Sequence, residues 1–215
     1  MESPFPEPVP AGTRLIETFG WWPGEGARGL DLHLTRMAHS AGVLGFAFDP
    51  GKARDRVAGL DGLAALRCRL TLGGDGDIAL TTAVLPPAPA DPWRVAIHPQ
   101  RLNSHDPWLA HKTTNRALYD TARAALPKGV DEYLFLNEQG DACEGTISNL
   151  FVTLVDGRKV TPPLASGLLP GILRGQLLAC GAVTEDRVTF DMLRTARAVS
   201  FGNALRGEIP ARLLI

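Results

Sequence analysis

A proline-rich stretch at residues 85–92 constrains how this chain can fold more than any other feature. It reads Leu-Pro-Pro-Ala-Pro-Ala-Asp-Pro, with four prolines in eight residues. Prolines at this density interrupt helices and strands and are typical of a stiff connector between folded units. We therefore predict two domains, a small one over residues 1–88 and a larger one over residues 89–215.

The composition is that of a folded protein and argues against several functional classes. Hydrophobic residues make up 45% and charged residues 21%, far from the composition of a disordered chain. The 22 Lys and Arg against 23 Asp and Glu lack the basic surplus of a nucleic-acid-binding protein. Three widely spaced cysteines form neither a disulfide framework nor a metal-binding pattern. With no signal-like or membrane-spanning stretch, we expect a cytoplasmic protein that binds neither nucleic acid nor membrane.

Hydrophobic periodicity and turn residues predict an α+β fold of two lobes. Helical spacing predicts a helix over 30–44, a weaker one over 52–66, a helix over 113–126, and a helix from Pro170 to about residue 179. β-rich runs predict strands over residues 14–19, 68–72, 78–84, 93–98, 132–137, 146–154, 158–161 and 197–201. Residues 73–77 are predicted to form a hairpin turn, and Gly202-Asn203 a turn after the last strand.

Two charged residues are candidates for chemistry. Lys112, in His111-Lys-Thr-Thr-Asn-Arg116, lies just before a predicted helix; such a lysine is usually solvated, but a partly buried amine can attack carbonyl carbons. Glu144, in Cys143-Glu-Gly-Thr-Ile-Ser-Asn-Leu-Phe151, lies at the turn into a predicted strand. A carboxylate there is either exposed or, if buried, needs a cationic or hydrogen-bonding partner. Each residue by itself is compatible with an ordinary surface role.

Two glycine-containing segments could present backbone amides to an anion. Gly167-Leu-Leu-Pro-Gly-Ile-Leu-Arg174 opens a predicted helix, so the first amides, at Gly171, Ile172 and Leu173, have no acceptor within the helix. Phe201-Gly-Asn-Ala-Leu-Arg-Gly207 is a second loop that follows a strand. Most helix starts and turns of this kind bind nothing, so these segments carry weight only in combination with the charged residues.

Together, the two charged residues and the two glycine-containing segments could bind one ligand that carries an aldehyde, a cationic ring nitrogen and a phosphate. Pyridoxal 5'-phosphate has all three groups. With these motifs in this order, the chain resembles the class IV (fold-type IV) family of pyridoxal-phosphate enzymes from about residue 14 to residue 209. That family includes branched-chain aminotransferases, D-amino-acid aminotransferases and 4-amino-4-deoxychorismate lyases. The resemblance implies a two-lobed α+β fold with a small N-terminal and a larger C-terminal α/β lobe.

The resemblance implies a role for eight residues. Lys112 matches the Schiff-base lysine, and Glu144 matches the carboxylate that pairs with the pyridine nitrogen. Arg36 matches the phosphate-binding arginine, although the helical wheel places it away from the apolar stripe of its helix and by itself favours a solvated position. Leu169 matches the leucine that packs on one face of the ring. The other matches are phosphate-binding residues of the two loops, namely Ile172, Leu173, Asn203 and Ala204.

The lysine segment favours the lyase branch of the family. Branched-chain aminotransferases carry a tyrosine five residues after the lysine, where this chain has Ala117, whereas Lys112-Thr-Thr-Asn115-Arg116 resembles the lyases. The resemblance therefore implies a 4-amino-4-deoxychorismate lyase, which releases pyruvate and leaves p-aminobenzoate for folate synthesis. The alternative is an amino-acid transaminase of the branched-chain or D-amino-acid type. A more distant alternative is a non-catalytic binding module.

Two departures from the family pattern affect these expectations. The Asp-Arg-Gly and Gly-Asp-Gly segments that family members carry ahead of the first strand are absent before Arg14, so we expect an altered substrate pocket. Leu173 stands where a threonine is common, which removes a hydroxyl contact, so we expect somewhat weaker cofactor binding. Family members are typically homodimers with sites near the interface, and the resemblance implies a homodimer acting on a small-molecule amino substrate here.

Overall fold

The computed structural model describes residue 5 and residues 8–215, and the chain divides into two units. The first unit contains the chain up to Pro87 and, in addition, His111–Asn115. The second contains Ala88–Ala110 and Arg116–Ile215. The predicted domains differ from this division chiefly in residues 111–115, which the prediction assigned to the C-terminal domain and the structure groups with the N-terminal unit.

The first unit is a four-stranded antiparallel sheet with two helices. Its elements are β1 (Leu15–Trp22), β2 (Gly26–Ala27), α1 (Leu30–Leu44), α2 (Pro50–Ala58), β3 (Leu66–Leu72) and β4 (Ile78–Val84). The strand order is β2-β1-β3-β4. β3 and β4 form the predicted hairpin, with Leu72 opposite Ile78. α1 packs against β1 and buries Leu34, Met37 and Ala41, as the periodicity of its sequence predicts.

The helices of this unit show which local signals decide their ends. α1 has the predicted bounds and stops because Gly45 adopts a left-handed φ of 72°, with the amide of Phe46 donating to Ala41 O at 2.8 Å. The prediction for α2 was wrong at both ends. α2 begins at Pro50, after the N-cap Asp49, and ends at Ala58.

The second unit is built around an eight-stranded sheet. Its elements are β5 (Trp93–Ile97), α3 (Ala117–Ala124), β6 (Glu132–Leu136), β7 (Ala142–Gly145), β8 (Asn149–Thr153), β9 (Lys159–Thr161), α4 (Ile172–Ala179), β10 (Thr184–Glu185), α5 (Phe190–Thr195), β11 (Ala198–Asn203) and β12 (Gly207–Leu214), with short 3₁₀ turns at Pro107–Ala110 and Leu164–Ser166. The strand order is β10-β9-β8-β11-β12-β5-β6-β7. An additional pairing of β7 with β8, through Glu144 and Asn149, closes β8-β11-β12-β5-β6-β7 into a ring.

Several predictions in the second unit were wrong or incomplete. α3 begins at Ala117 instead of residue 113. Gly202 and Asn203 are not a turn but the last residues of β11, paired with Glu208 and Gly207. β7, β10, α5 and β12 were not predicted at all. β12 alternates poorly in hydrophobicity and forms because it pairs with both β11 and β5.

The helices of the described chain are short. Over residue 5 and residues 8–215, none has the length and apolar composition that crossing a membrane requires.

Candidate active site

Lys112 lies on a segment that is bound to β1 of the first unit. The amide of Ile16 donates to Lys112 O at 2.8 Å, and the amide of Thr114 donates to Arg14 O at 2.8 Å. Between these bonds Leu15 and Thr113 form an isolated antiparallel bridge. The backbone of Lys112 is therefore fixed by β1, and Lys112 does not lie just before a helix as predicted, because α3 begins only at Ala117.

Arg36 lies on α1 in the same unit and is part of a buried ion pair. Its Nε donates to Glu17 Oε1 at 2.8 Å and its Nη2 to Glu17 Oε2 at 2.6 Å. The Arg36 side chain is only 10% exposed, so the solvated position that the helical wheel favours is wrong. This bidentate pairing uses two of the five N–H donors of a guanidinium. The phosphate-binding role of Arg36 stays a prediction.

The carboxylate of Glu17, on β1, is the centre of this cluster. His33 Nδ1 lies 2.5 Å from Glu17 Oε2, and both side chains are 1% exposed. Burial by itself would raise the pKa of Glu17, but the charge of Arg36 and the hydrogen bonds from His33 and Arg36 hold that pKa below its ordinary value. Glu17 is thus a charged, buried carboxylate that fixes the position of Arg36. The sequence prediction did not include Glu17 or His33.

Glu144 lies inside β7 of the second unit, and not at a turn as predicted. It is 6% exposed and pairs across the strands with Asn149. The hydroxyl of Tyr119 donates to Glu144 Oε1 at 2.7 Å, and the amide of Leu169 donates to Oε2 at 3.1 Å. Asn149 Nδ2 adds a longer contact of 3.4 Å to Oε2 and donates to Leu169 O at 3.0 Å. Both carboxylate oxygens are therefore anchored by directional donors.

Tyr119 is a partly buried phenol that stays protonated beside this carboxylate. Burial first, and then the negative charge of Glu144, raise the pKa of Tyr119 far above its ordinary value. Its hydroxyl is therefore protonated at neutral pH and donates to Glu144. Neither Tyr119 nor Asn149 was predicted as a site residue, although Asn149 lies within the nine-residue segment that singled out Glu144.

The two predicted phosphate-binding segments meet in the second unit. Gly171 is the N-cap of α4, so the amides of Ile172 and Leu173 open the helix where no helical carbonyl can accept from them. A Cβ at Gly202 would lie 2.7 Å from Leu173 Cδ2, which shows how closely the end of β11 approaches α4. The structure thus brings Leu173 next to the second loop, as the hypothesis of a shared anion requires.

Asn203 is the last residue of β11, and Ala204 is the residue after it. Asn203 Nδ2 donates to Ile147 O at 3.0 Å, and Asn203 Oδ1 accepts from the amides of Leu205 and Arg206 at 3.1 and 3.0 Å. The side chain of Asn203 therefore shapes the loop, and Ala204 lies in the turn that this side chain stabilises.

The predicted residues of the second unit fit pyridoxal phosphate. A Cβ at Gly171 would lie 1.9 Å from Asn149 Oδ1, so the helix start is packed directly on the residue that also contacts Glu144. Asn149 thereby links the carboxylate of Glu144 to the start of α4. Lys112 and Arg36 belong to the first unit, and the other six predicted residues belong to the second.

Comparison with known proteins identifies the family. The profile of the class IV aminotransferases matches residues 14–214, so the chain belongs to the class IV aminotransferase family. Members of this family, including the aminodeoxychorismate lyases, are enzymes that use pyridoxal phosphate. This confirms the family, the fold class and the cofactor that the sequence motifs predicted.

Individual relatives carry two kinds of name. A Schizosaccharomyces pombe protein, provisionally named an aminodeoxychorismate lyase, is 30% identical over 86% of this chain and 84% of its own length. A Pseudomonas aeruginosa 4-amino-4-deoxychorismate lyase structure is 25% identical, with a TM-score of 0.76 over 93% of this chain and 82% of its own. A Mesorhizobium loti structure, provisionally named an amino-acid aminotransferase, is 40% identical, with a TM-score of 0.87 over 94% of this chain and 100% of its own.

Proposed function

We propose that this protein is a 4-amino-4-deoxychorismate lyase that releases pyruvate and leaves p-aminobenzoate. Pyridoxal-phosphate chemistry is supported above all by the buried Glu144, whose two oxygens are anchored by Tyr119 and Leu169. The choice of lyase is supported by Lys112-Thr-Thr-Asn115-Arg116 and by the names of the Schizosaccharomyces pombe and Pseudomonas aeruginosa relatives. Folate synthesis is the process that would consume the p-aminobenzoate.

Different residues of the chain would bind different parts of the cofactor. Arg36, Ile172, Leu173, Asn203 and Ala204 would hold its phosphate, and Leu169 would pack on one face of its ring. Glu144 would face the ring nitrogen and keep it protonated, because an anion favours the charged form of a nearby base. When bound, pyridoxal phosphate supplies an aldehyde that takes the substrate amine and a protonated ring that accepts an electron pair.

Lys112 is the residue that moves protons in this proposal. Its Nζ would take the proton from the substrate ring carbon that bears the amine. As the bond to the enolpyruvyl oxygen breaks, the substrate ring becomes aromatic. The same ammonium would return a proton to the methylene carbon of the departing group, which leaves as pyruvate. The substrate therefore splits into pyruvate and p-aminobenzoate without added water or oxidant.

A transaminase is the second candidate, because the Mesorhizobium loti protein is 40% identical and carries an aminotransferase name. Its chemistry would use the same lysine to move a proton between two carbons, so the cofactor residues support both activities. A direct assay separates them. We expect pyruvate and p-aminobenzoate from aminodeoxychorismate, whereas glutamate formed from 2-oxoglutarate without p-aminobenzoate would overturn the lyase proposal.

The cofactor itself is tested with the purified protein and Lys112→Ala. We expect the native protein to be yellow with pyridoxal phosphate, and borohydride to fix the cofactor covalently on Lys112. Lys112→Ala should show no covalent fixation and a loss of activity of at least about a thousandfold, as expected when the group that carries out the chemistry is removed. A native protein that binds no pyridoxal phosphate would contradict the proposal.

We also propose that the enzyme works as a homodimer in the cytoplasm. The proposal is supported by the resemblance to the class IV aminotransferase family. Sedimentation of the purified protein tests the oligomeric state, for which we expect a mass twice that of the 23.0 kDa chain. A protein that sediments as a monomer at micromolar concentration would be incompatible with it.

A further inference from the structure

We propose that Tyr119 is a positioning residue of this enzyme, whose hydroxyl holds Glu144 as an oriented carboxylate and so determines how strongly the cofactor ring is protonated. The inference rests on the proposed function of Glu144 as the partner of the ring nitrogen. It adds a residue that the family resemblance did not supply, on a helix 25 residues earlier in the chain.

Geometry is the first support. Glu144 Oε1 accepts from the Tyr119 hydroxyl at 2.7 Å, and Oε2 accepts from the amide of Leu169 at 3.1 Å. The two donors come from different elements and hold different oxygens. The carboxylate therefore cannot turn about its terminal bond without breaking a hydrogen bond in a buried setting, where a lost bond is costly.

Tyr119 is itself held in place. Its ring packs edge-on against the fully buried Phe135, with centroids 5.2 Å apart, and the guanidinium of Arg116 lies 5.4 Å from its centroid. Arg116 in turn donates to Thr146 O at 2.8 Å. The phenol is thus a preorganised donor whose position does not depend on the ligand.

Chemistry is the second support. Burial and the charge of Glu144 raise the pKa of Tyr119 far above its ordinary value, so the phenol donates and does not compete with the carboxylate for the negative charge. A hydrogen bond donated to a carboxylate stabilises its ionised form. An ionised Glu144 favours a protonated ring, and a protonated ring accepts the electron pair of the reaction more readily. Loss of the phenol should therefore act on kcat more than on KM.

Tyr119→Phe removes only the hydroxyl and keeps the ring against Phe135. We expect the variant to bind pyridoxal phosphate on Lys112, with a shift in the pH dependence of its visible absorbance. We expect kcat to fall by roughly ten- to a hundredfold, the effect of losing one hydrogen bond to a charged group, with KM within about twofold. The absorbance titration is a readout that does not depend on turnover.

Tyr133→Phe is the matched control, because Tyr133 is the chain's other tyrosine. It lies on β6 of the same unit, and its ring packs edge-on against His98 with centroids 4.9 Å apart. We expect this variant to retain the native absorbance titration and kcat. A comparable change in both variants would show that the loss of any tyrosine hydroxyl perturbs the protein, and would overturn the assignment to Tyr119.

A double variant tests whether Tyr119 acts through Glu144. Glu144→Gln should lower kcat because it removes the carboxylate charge. Adding Tyr119→Phe to it should cause no further drop, because Tyr119 acts only through that carboxylate. Additive losses would overturn the inference, as would a Tyr119→Phe enzyme with native absorbance and kcat, even if its melting temperature falls. A native protein without bound cofactor or lyase activity would instead mark failure of the proposed function, before any variant is compared.

Discussion

Each unit of the molecule contains a buried carboxylate, and the two are held in different ways. Glu17 in the first unit is 1% exposed and is bound by the guanidinium of Arg36 through two hydrogen bonds. Glu144 in the second unit is 6% exposed, and its described hydrogen bonds come from a phenol, a backbone amide and a carboxamide. Glu17 is paired with a full positive charge, whereas the hydrogen bonds described for Glu144 come from neutral, directional donors.

This difference separates two tasks that a buried carboxylate can perform. A carboxylate paired bidentately with arginine has its charge neutralised and its main effect is on the position of the arginine. A carboxylate fixed by neutral donors keeps its negative charge while its orientation is set, which suits a group that acts on a ligand. The contrast agrees with Glu17 as the support of Arg36 and with the role proposed for Glu144 at the cofactor ring.

The largest effect that tests this contrast is the loss of the Glu17 carboxylate. Glu17→Ala removes the carboxylate that is paired with the largely buried guanidinium of Arg36, and breaking a buried ion pair costs about 3–5 kcal/mol. We expect the free energy of unfolding, measured with urea, to fall by that amount. The matched control is Asp31→Ala, which breaks the exposed pair of Asp31 and Arg54 and should cost less than about 1 kcal/mol. Equal losses in the two variants would contradict a structural role of the buried pair.

A smaller effect is expected where α4 begins, beside Glu144. A Cβ at Gly171 would lie 1.9 Å from Asn149 Oδ1, so Gly171→Ala must displace the side chain that contacts Glu144. We expect a loss of about 1–3 kcal/mol in unfolding free energy, the usual range for overpacking, together with weaker binding of pyridoxal phosphate. Fluorescence titration of the cofactor measures the second effect.

The control for this change lies in the same helix. A Cβ at Gly175 would meet nothing within 4 Å, and the residue is exposed. Gly175→Ala should therefore stabilise the protein by about 0.4–1 kcal/mol and leave cofactor binding unchanged. If both alanine variants weakened cofactor binding alike, the close packing of Gly171 on Asn149 would not be the cause.

The sequence predicts those parts of the fold that depend on local signals. α1 has the predicted bounds because its apolar stripe and the left-handed Gly45 mark both its face and its end. The start of α3 and the location of Glu144 were wrong for a different reason. Thr113 and Thr114 are held by β1, and Glu144 pairs with Asn149 where the ring of strands closes. Both depend on pairings that periodicity cannot show.

The candidate site was predictable to a similar degree. Lys112 and Glu144 were proposed from their motifs together with the family resemblance, and their roles stay predictions. Glu17, Tyr119 and Asn149 were not, because their roles depend on contacts with residues 19, 25 and 5 positions away and tolerate other residue types in principle. Supporting residues of this kind become visible only when the fold has brought the partners together.

The smallest expected effect is a change of stability at acidic pH, and it tests the charge on Glu17 directly. Because the pKa of Glu17 is lowered in the folded state, its contribution to stability is complete above the unfolded value of about 4.3 and is lost as pH falls through the lower folded value. The difference in unfolding free energy between the native protein and Glu17→Gln should therefore narrow as the pH falls below about 4. Other carboxyl groups titrate equally in both proteins and cancel in the difference. Stability curves that stay parallel down to the acid transition would show that Glu17 does not carry the charge that its pairing with Arg36 requires.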